Sequence, residues 1–184
     1  VLLDFERKVA ARADICSFVS EAEAALFRDA CGLGADRIVA LENGVALDYF
    51  DPAADFPAVE KGAGPLIVFT GQMDYRPNVE AVESFARQTL PAIQAARPDA
   101  RFAIVGRNPS KPVQALADLP GVIVTGGVPD VRGWLAAADL VVAPLRIARG
   151  IQNKVLEAMA MARPVVASSQ AAEGIDAVDG RDFL

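Results

Sequence analysis

The chain has 184 residues, 53% hydrophobic and 23% charged, which is enough to bury one full core and excludes disordered, collagenous and disulfide-scaffold classes. Eighteen basic against 24 acidic residues give a net charge of −6, which argues against a general nucleic-acid surface but allows a local basic pocket for a phosphate. Histidine is absent, so Ser-His and Cys-His catalysis and most zinc sites are excluded. Apolar runs that read as strands lie at 15–19, 37–41, 66–70, 101–105, 122–125, 140–143 and 164–167. Several, such as Leu66-Ile67-Val68-Phe69, lack polar alternation, as parallel strands covered on both faces do.

Helical patterns fall between them at 21–31, 110–118, 130–138 and 151–162. The clearest starts at Pro77, a residue suited to a first helical position, and places Val79, Val82, Phe85, Ala86, Leu90 and Ile93 on one stripe. Strand-helix alternation of this kind predicts an α/β fold with a doubly wound parallel sheet. Residues 51–64 carry turn and breaker residues without an apolar period. The elements before them are expected to be too few for a sheet of their own and to be the tail of a preceding domain. The chain as a whole reads as a piece of something longer.

No uncharged apolar run reaches the ~18 residues that a membrane-spanning helix needs. Val1-Leu2-Leu3 is followed at once by Asp4, Glu6, Arg7 and Lys8, which does not fit a signal peptide. Cys16 and Cys31 lack nearby partner ligands and are expected to be buried, reduced thiols. Together these point to a cytoplasmic location.

In an open parallel sheet, ligands bind outside the carboxyl ends of the strands. Three predicted strands end there in glycine, at Gly71, Gly106 and Gly126-Gly127. Glycine lets backbone approach a ligand, and a following helix N-terminus offers N–H groups to a phosphate. Tight turns without a ligand would need the same residues. In the helix over 151–162, Gly150, Lys154 and Glu157 fall on nearly one line, with Ile151, Val155, Ala158 and Ala162 on a core face. That line can offer N–H groups and a cation to a diphosphate and a carboxylate to sugar hydroxyls. An exposed Lys154–Glu157 ion pair is the plainer alternative.

Gly150-x-x-x-Lys154-x-Leu-Glu157-Ala-Met-Ala, followed by Arg163-Pro-Val-Val-Ala, resembles the donor-site signature of glycosyltransferase family 4, retaining enzymes of the GT-B fold. Glu42-Asn43-Gly44-Val45, with Phe50 and Pro52, resembles the family's hinge segment. Gly127-Val128-Pro129-Asp130 and Ala138-Asp139-Leu140-Val141-Val142-Ala143-Pro144 resemble its nucleotide-base segment and the strand after it.

The resemblance implies a Rossmann-like sheet, the C-terminal half of a GT-B glycosyltransferase. Residues 1–45 would be the tail of the acceptor domain and hinge, and 46–184 the donor-binding domain. Glu157 would bind the ribose hydroxyls of a nucleotide diphosphosugar. Backbone at Gly150, Ile151, Gln152 and Asn153 would meet the diphosphate, and backbone near Val128 the base. Gly71 would let the first loop approach the phosphates and Gly106 would border the nucleotide. Lys154 would stabilise the leaving diphosphate, with Arg149 or Arg76 as a second cation, and no metal or other cofactor is implied. The acceptor, a sugar or lipid-linked sugar, would be held by the other domain, which would also provide contact with the inner membrane. Nucleic acid is not an expected partner.

The sequence also departs from that pattern. The family's paired acid, eight residues before Glu157, is Arg149, the usual Gly-Arg of the first loop reads Gly71-Gln72, and a usual lysine is Pro77. Arg76 and Asn78 either replace those phosphate contacts or serve the start of the helix. The variant, with Pro144-Leu-Arg146, resembles a bacterial exopolysaccharide-type subgroup of sugar transferases. Two other readings stand beside it: a degenerate nucleotide-binding module, favoured by Arg149, and a nucleotide-sugar epimerase, disfavoured by the lack of histidine. A dinucleotide-dependent dehydrogenase is disfavoured because no Gly-x-Gly-x-x-Gly follows a strand.

Overall fold

The computed structural model describes residues 2–148 and 150–182. Residues 2–40 fold as α1 (Leu2–Arg12), β1 (Cys16–Phe18), α2 (Glu21–Cys31) and β2 (Ile38–Ala40). Ser20 starts α2 by accepting the Glu23 N–H at 3.3 Å, and Gly32 ends it at φ +72, the left-handed conformation that glycine adopts without steric penalty. β1 and β2 pair in parallel, with Cys16 opposite Ile38. The expectation of no sheet here is therefore corrected: the helical crossover α2 is long enough to set the two short strands side by side. Ala10, Ala24 and Ile38 form their own small core, with the Phe18 and Phe27 rings 4.9 Å apart beside it. Cys16 and Cys31 are free thiols as expected, but half-buried rather than buried, since both lie at the margin of this core.

After residues 41–64, which form no helix or strand, comes a five-stranded parallel sheet. Its strands are β3 (Leu66–Thr70), β4 (Arg101–Val105), β5 (Val122–Gly126), β6 (Leu140–Ala143) and β7 (Val165–Ala167). Every residue of β3 is buried, which only a central strand with both faces covered can satisfy, and β3 pairs with β4 on one side and β6 on the other. The order is β5-β4-β3-β6-β7, the Rossmann-like, doubly wound arrangement expected from the sequence. With this order, the right-handed crossovers that parallel sheets adopt would put the connecting helices before and after the reversal on opposite faces. Large side chains such as Phe69, Phe102, Ile104 and Leu135 are fully buried in one continuous core.

The helix expected from Pro77 is real but composite. It runs as α3 (Arg76–Ser84), a π-turn (Phe85–Thr89) and α4 (Leu90–Ala96), with Pro77 its second residue rather than its first. Pro91 has no N–H to return to Arg87 and its ring would crowd that carbonyl, so a wider turn, with Leu90 N–H bonded to Phe85 O, absorbs the mismatch. The stripe holds: Val82, Phe85, Ala86 and Leu90 are buried.

The remaining helices are α5 (Lys111–Gln114) with a 3-10 turn (Ala115–Asp118), α6 (Arg132–Ala137), α7 (Asn153–Ala160) and α8 (Ser169–Ala172). Because α7 begins only at Asn153 and ends at Ala160, two expectations change. Gly150 precedes the helix and shares no helical line with Lys154 and Glu157. Ala162 is exposed in a left-handed turn at φ +51, and Met161 takes the core position instead. Among the described residues no helix is long and apolar enough to cross a membrane.

Candidate functional site

The chain leaves β3 toward one sheet edge and later returns past it to β6, so the strand order reverses between these two strands. A crevice at their carboxyl ends follows from that topology. A cleft of about 640 Å³ opens there, lined by Thr70, Gly71 and Gln72, by Val105, Gly106 and Arg107, by Gly127, Val128 and Val131, and by Ile151, Asn153, Lys154 and Glu157. That volume lies within the usual range for small-molecule sites. A recess of about 650 Å³ beside β7 and α8 is as large, but its charged lining residues are Glu173 and Asp179, so it offers nothing to an anion.

Two of the strand-end glycines, Gly71 and Gly106, are required by the protein's own packing. A Cβ on Gly106 would lie 1.6 Å from the Gly71 carbonyl oxygen. A Cβ on Gly71 would lie 2.8 Å from Asn78 Nδ2 and 3.3 Å from Lys154 Nζ. The ends of β3 and β4 therefore meet backbone to backbone, and this close approach forms the floor of the cleft.

Lys154 projects from the first turn of α7 over the Phe69 ring, with Nζ 4.3 Å from its centroid, and donates to Asn78 Oδ1 at 2.6 Å. Burial lowers its pKa to about 8, opposed by the nearby Glu157 charge. Burial likewise raises the pKa of Glu157, opposed by Lys154. The exposed ion pair considered from the sequence is not formed: both side chains are half-buried, and the ammonium turns to Asn78. Gln152 leads into α7 without a side-chain cap hydrogen bond, and its carbonyl accepts the Val155 N–H at 2.9 Å, so a ligand at this N-terminus would meet the N–H groups of Asn153 and Lys154.

Of the residues singled out from the sequence, Gly71, Gly106, Val128, Ile151, Asn153, Lys154 and Glu157 line this cleft together. Asn78 stands behind it as the partner of Lys154 rather than as a helix cap. Arg76 is not brought in: its side chain is 83% exposed and pairs with Glu80 at 2.7 Å, one turn along α3. Gly150 lines a separate recess with Ser20 and Glu23, and the Gln152 side chain donates to the Gly150 carbonyl. Arg149 lies outside the described residues. Sequence reasoning missed Arg107, an exposed guanidinium on the cleft wall that donates to Gln72 Oε1 at 3.4 Å. Its only signal was its place directly after Gly106.

The cleft thus combines a helix N-terminus, a partly buried cation, a second cation on the wall and a carboxylate one turn further along α7. It can hold a phosphate anion at the mouth of α7 and accept hydrogen bonds from hydroxyls at Glu157. Known proteins share the fold of this domain. The chain belongs to the family described as glycosyl transferases group 1, whose profile matches residues 64–184.

A phosphatidyl-myo-inositol mannosyltransferase of Propionibacterium freudenreichii subsp. shermanii is 31% identical over 140 residues, covering 71% of this chain and 32% of that protein. A glycosyltransferase from Rickettsia africae superposes with a TM-score of 0.70 at 19% identity, over 96% of this chain and 50% of that one. Anabaena HepE, solved in complex with UDP and glucose, superposes with a TM-score of 0.69 at 18% identity, over 92% of this chain and 49% of that one. The chain therefore spans about a third of the curated relative and about half of these solved chains. Its five-stranded sheet is the Rossmann-like domain of the GT-B architecture.

Proposed function

We propose that this chain is the donor-binding part of a family 4 glycosyltransferase that takes a sugar from a nucleotide diphosphosugar and transfers it with retention, in bacterial exopolysaccharide synthesis. The observation that carries the reading is Lys154 and Glu157 on one face of α7, in a cleft at the strand reversal. Lys154, Arg107 and the α7 N-terminus would hold the diphosphate, and Glu157 the ribose hydroxyls. Residues 1–45 would belong to the acceptor domain, a division supported by the separate small core.

In the reaction the bond between the sugar's anomeric carbon and the diphosphate oxygen breaks. The acceptor hydroxyl bonds to that carbon on the face the diphosphate leaves, and its proton passes to the departing oxygen. Lys154 and the helix N-terminus would meet the charge that develops there, by electrostatic preorganisation and without a metal. The known complexes of HepE with UDP and with UDP-glucose support UDP as the first nucleotide to try.

The test is a thermal-shift panel of UDP, GDP, ADP and CMP on this chain and on Glu157→Ala. A ligand of millimolar Kd at ~10 mM stabilises by ~1.4 kcal/mol, enough to read. One diphosphate is expected to shift the wild type and not the variant. No shift with any nucleotide on a folded chain overturns the reading. Arg149 in place of the family's acid favours one alternative, a nucleotide-binding module without transfer activity. UDP binding by a longer parent protein that turns over no nucleotide sugar would select that alternative.

A further inference from the structure

Asn78 is a nearly buried polar residue behind the site, at 6% exposure, and it comes from a different helix, 76 positions before Lys154. Its amide can face only one way. The Gln72 carbonyl can only accept, so Nδ2 must face it, at 2.9 Å, and Oδ1 is left to the donor-only ammonium of Lys154 at 2.6 Å. The ring of Phe69 lies beneath that ammonium, and a side chain at Gly71 would collide with the amide and crowd the ammonium.

We propose that Asn78 is a positioning residue, whose amide fixes the Lys154 ammonium at the floor of the cleft before any ligand arrives. The inference rests on the nucleotide-sugar reading for what the cation is held ready to meet, though not for its placement. An amide suits the task better than a carboxylate. It orients the cation without neutralising it, whereas an acid at 78 would cancel the charge and repel an incoming diphosphate. The arrangement also keeps Lys154 from collapsing onto Glu157, which leaves that carboxylate available for hydroxyls.

Among the described residues, the charged groups around the ammonium are few. Glu157 acts from its own helix, Arg107 stands on the cleft wall, and Arg76 of α3 is turned away to Glu80. From β3 and α3, the residues packed against the ammonium are Phe69, Gly71 and Asn78, none of which titrates. Asn78→Ala therefore probes the lysine's titration without altering the surrounding charges, whereas Asn78→Asp adds one carboxylate beside it.

The test has two arms on this chain, with Asn78→Ala and the near-isosteric Asn78→Asp. In the first, lysine side-chain NMR follows Lys154 without nucleotide, its resonance assigned by its loss in Lys154→Arg. The wild-type midpoint should lie near 8. Asn78→Ala should lower it and Asn78→Asp should raise it by a pH unit or more. Unchanged midpoints and chemical shifts in both variants overturn the inference, and a destabilised Asn78→Ala leaves Asn78→Asp to decide. In the second arm, UDP affinity should fall about tenfold in both variants, in Asn78→Asp despite the retained acceptor. Midpoints that move while UDP affinity stays constant overturn the role of Asn78 in the donor site. A wild type that binds no UDP removes the nucleotide reading alone, because the NMR arm still decides the placement.

Discussion

Arg132 lies over the Tyr49 ring, with its guanidinium carbon 4.0 Å from the ring centroid, and pairs with Asp130 at 2.6 Å. The same side chain donates to the Tyr49 carbonyl at 3.1 Å, and the Tyr49 hydroxyl donates to Asp130 at 3.3 Å. The irregular segment before β3 is thus fastened to the start of α6 by one nearly buried arginine. Asn43 adds a second tie, donating to Asn153 at the start of α7 at 3.2 Å. Arg132→Ala is expected to lower the Tm well beyond the change caused by Arg76→Ala, whose exposed pair should contribute about a degree or less. The hydrogen bond from Arg132 holds Asp130 below the usual carboxylate range. Its stabilising contribution is therefore fully present above pH ~4 and lost as pH falls below that value, so acid unfolding of Arg132→Ala should begin at higher pH.

Lys154 should reduce stability at neutral pH. As pH falls, the unfolded chain binds this proton near 10.5, whereas the folded chain binds it only near 8. At ~1.4 kcal/mol per tenfold change in proton affinity, the difference is ~3.5 kcal/mol. That stability is present above pH 10.5, lost as pH falls through about 8, and absent at pH 7. Lys154→Met should therefore be more stable than the wild type at pH 7, by ~1–2 kcal/mol once the lost bond to Asn78 is deducted, with the gain gone above pH 10.5. Urea unfolding at the two pH values checks this. UDP binding to the wild type should weaken as pH rises through 8, and Lys154→Met should not bind it.

The two arginines near the cleft should behave differently. Arg107→Ala removes a cation from the cleft wall and should weaken UDP binding about tenfold. Arg76→Ala removes one that already pairs with Glu80, and should change affinity less than about twofold. Isothermal titration of both variants separates them, and equal losses would return Arg76 to the phosphate role that the sequence suggested.

Adjacent glycines should also diverge. Gly106→Ala places a methyl group 1.6 Å from the Gly71 carbonyl oxygen, and should cost ~3 kcal/mol or more as the ends of β3 and β4 part. At Gly127 the nearest neighbour is Arg107 Cβ at 3.6 Å, ordinary contact, so Gly127→Ala should change stability by ~0.5 kcal/mol or less. Denaturant midpoints of the two variants give the comparison.

The sheet was legible because its strands are short apolar runs bounded by breakers. Leu66–Thr70, Arg101–Val105 and Leu140–Ala143 occupy the residues read from the sequence. What could not be read depended on distant backbone. Asn78 and Lys154 meet only because β3 and β6 are neighbours, and no local pattern encodes that contact. The helix over 151–162 was drawn too long because its apolar period continues past both ends. The periodicity says nothing of the turn at Gly150 or of the left-handed Ala162. Arg76 shows a similar limit: sequence places it near the loop, while its side chain turns to Glu80 one turn away.

The two cores share no buried residue, and this has a kinetic consequence. The amides of β1 and β2 can exchange with solvent through an opening that leaves the larger sheet intact. In hydrogen–deuterium exchange, amides in Cys16–Phe18 and Ile38–Ala40 should exchange well before those in Leu66–Thr70, with different denaturant dependences. A protease should then first cut in the irregular segment over 51–64, releasing a shorter fragment that keeps the five-stranded sheet.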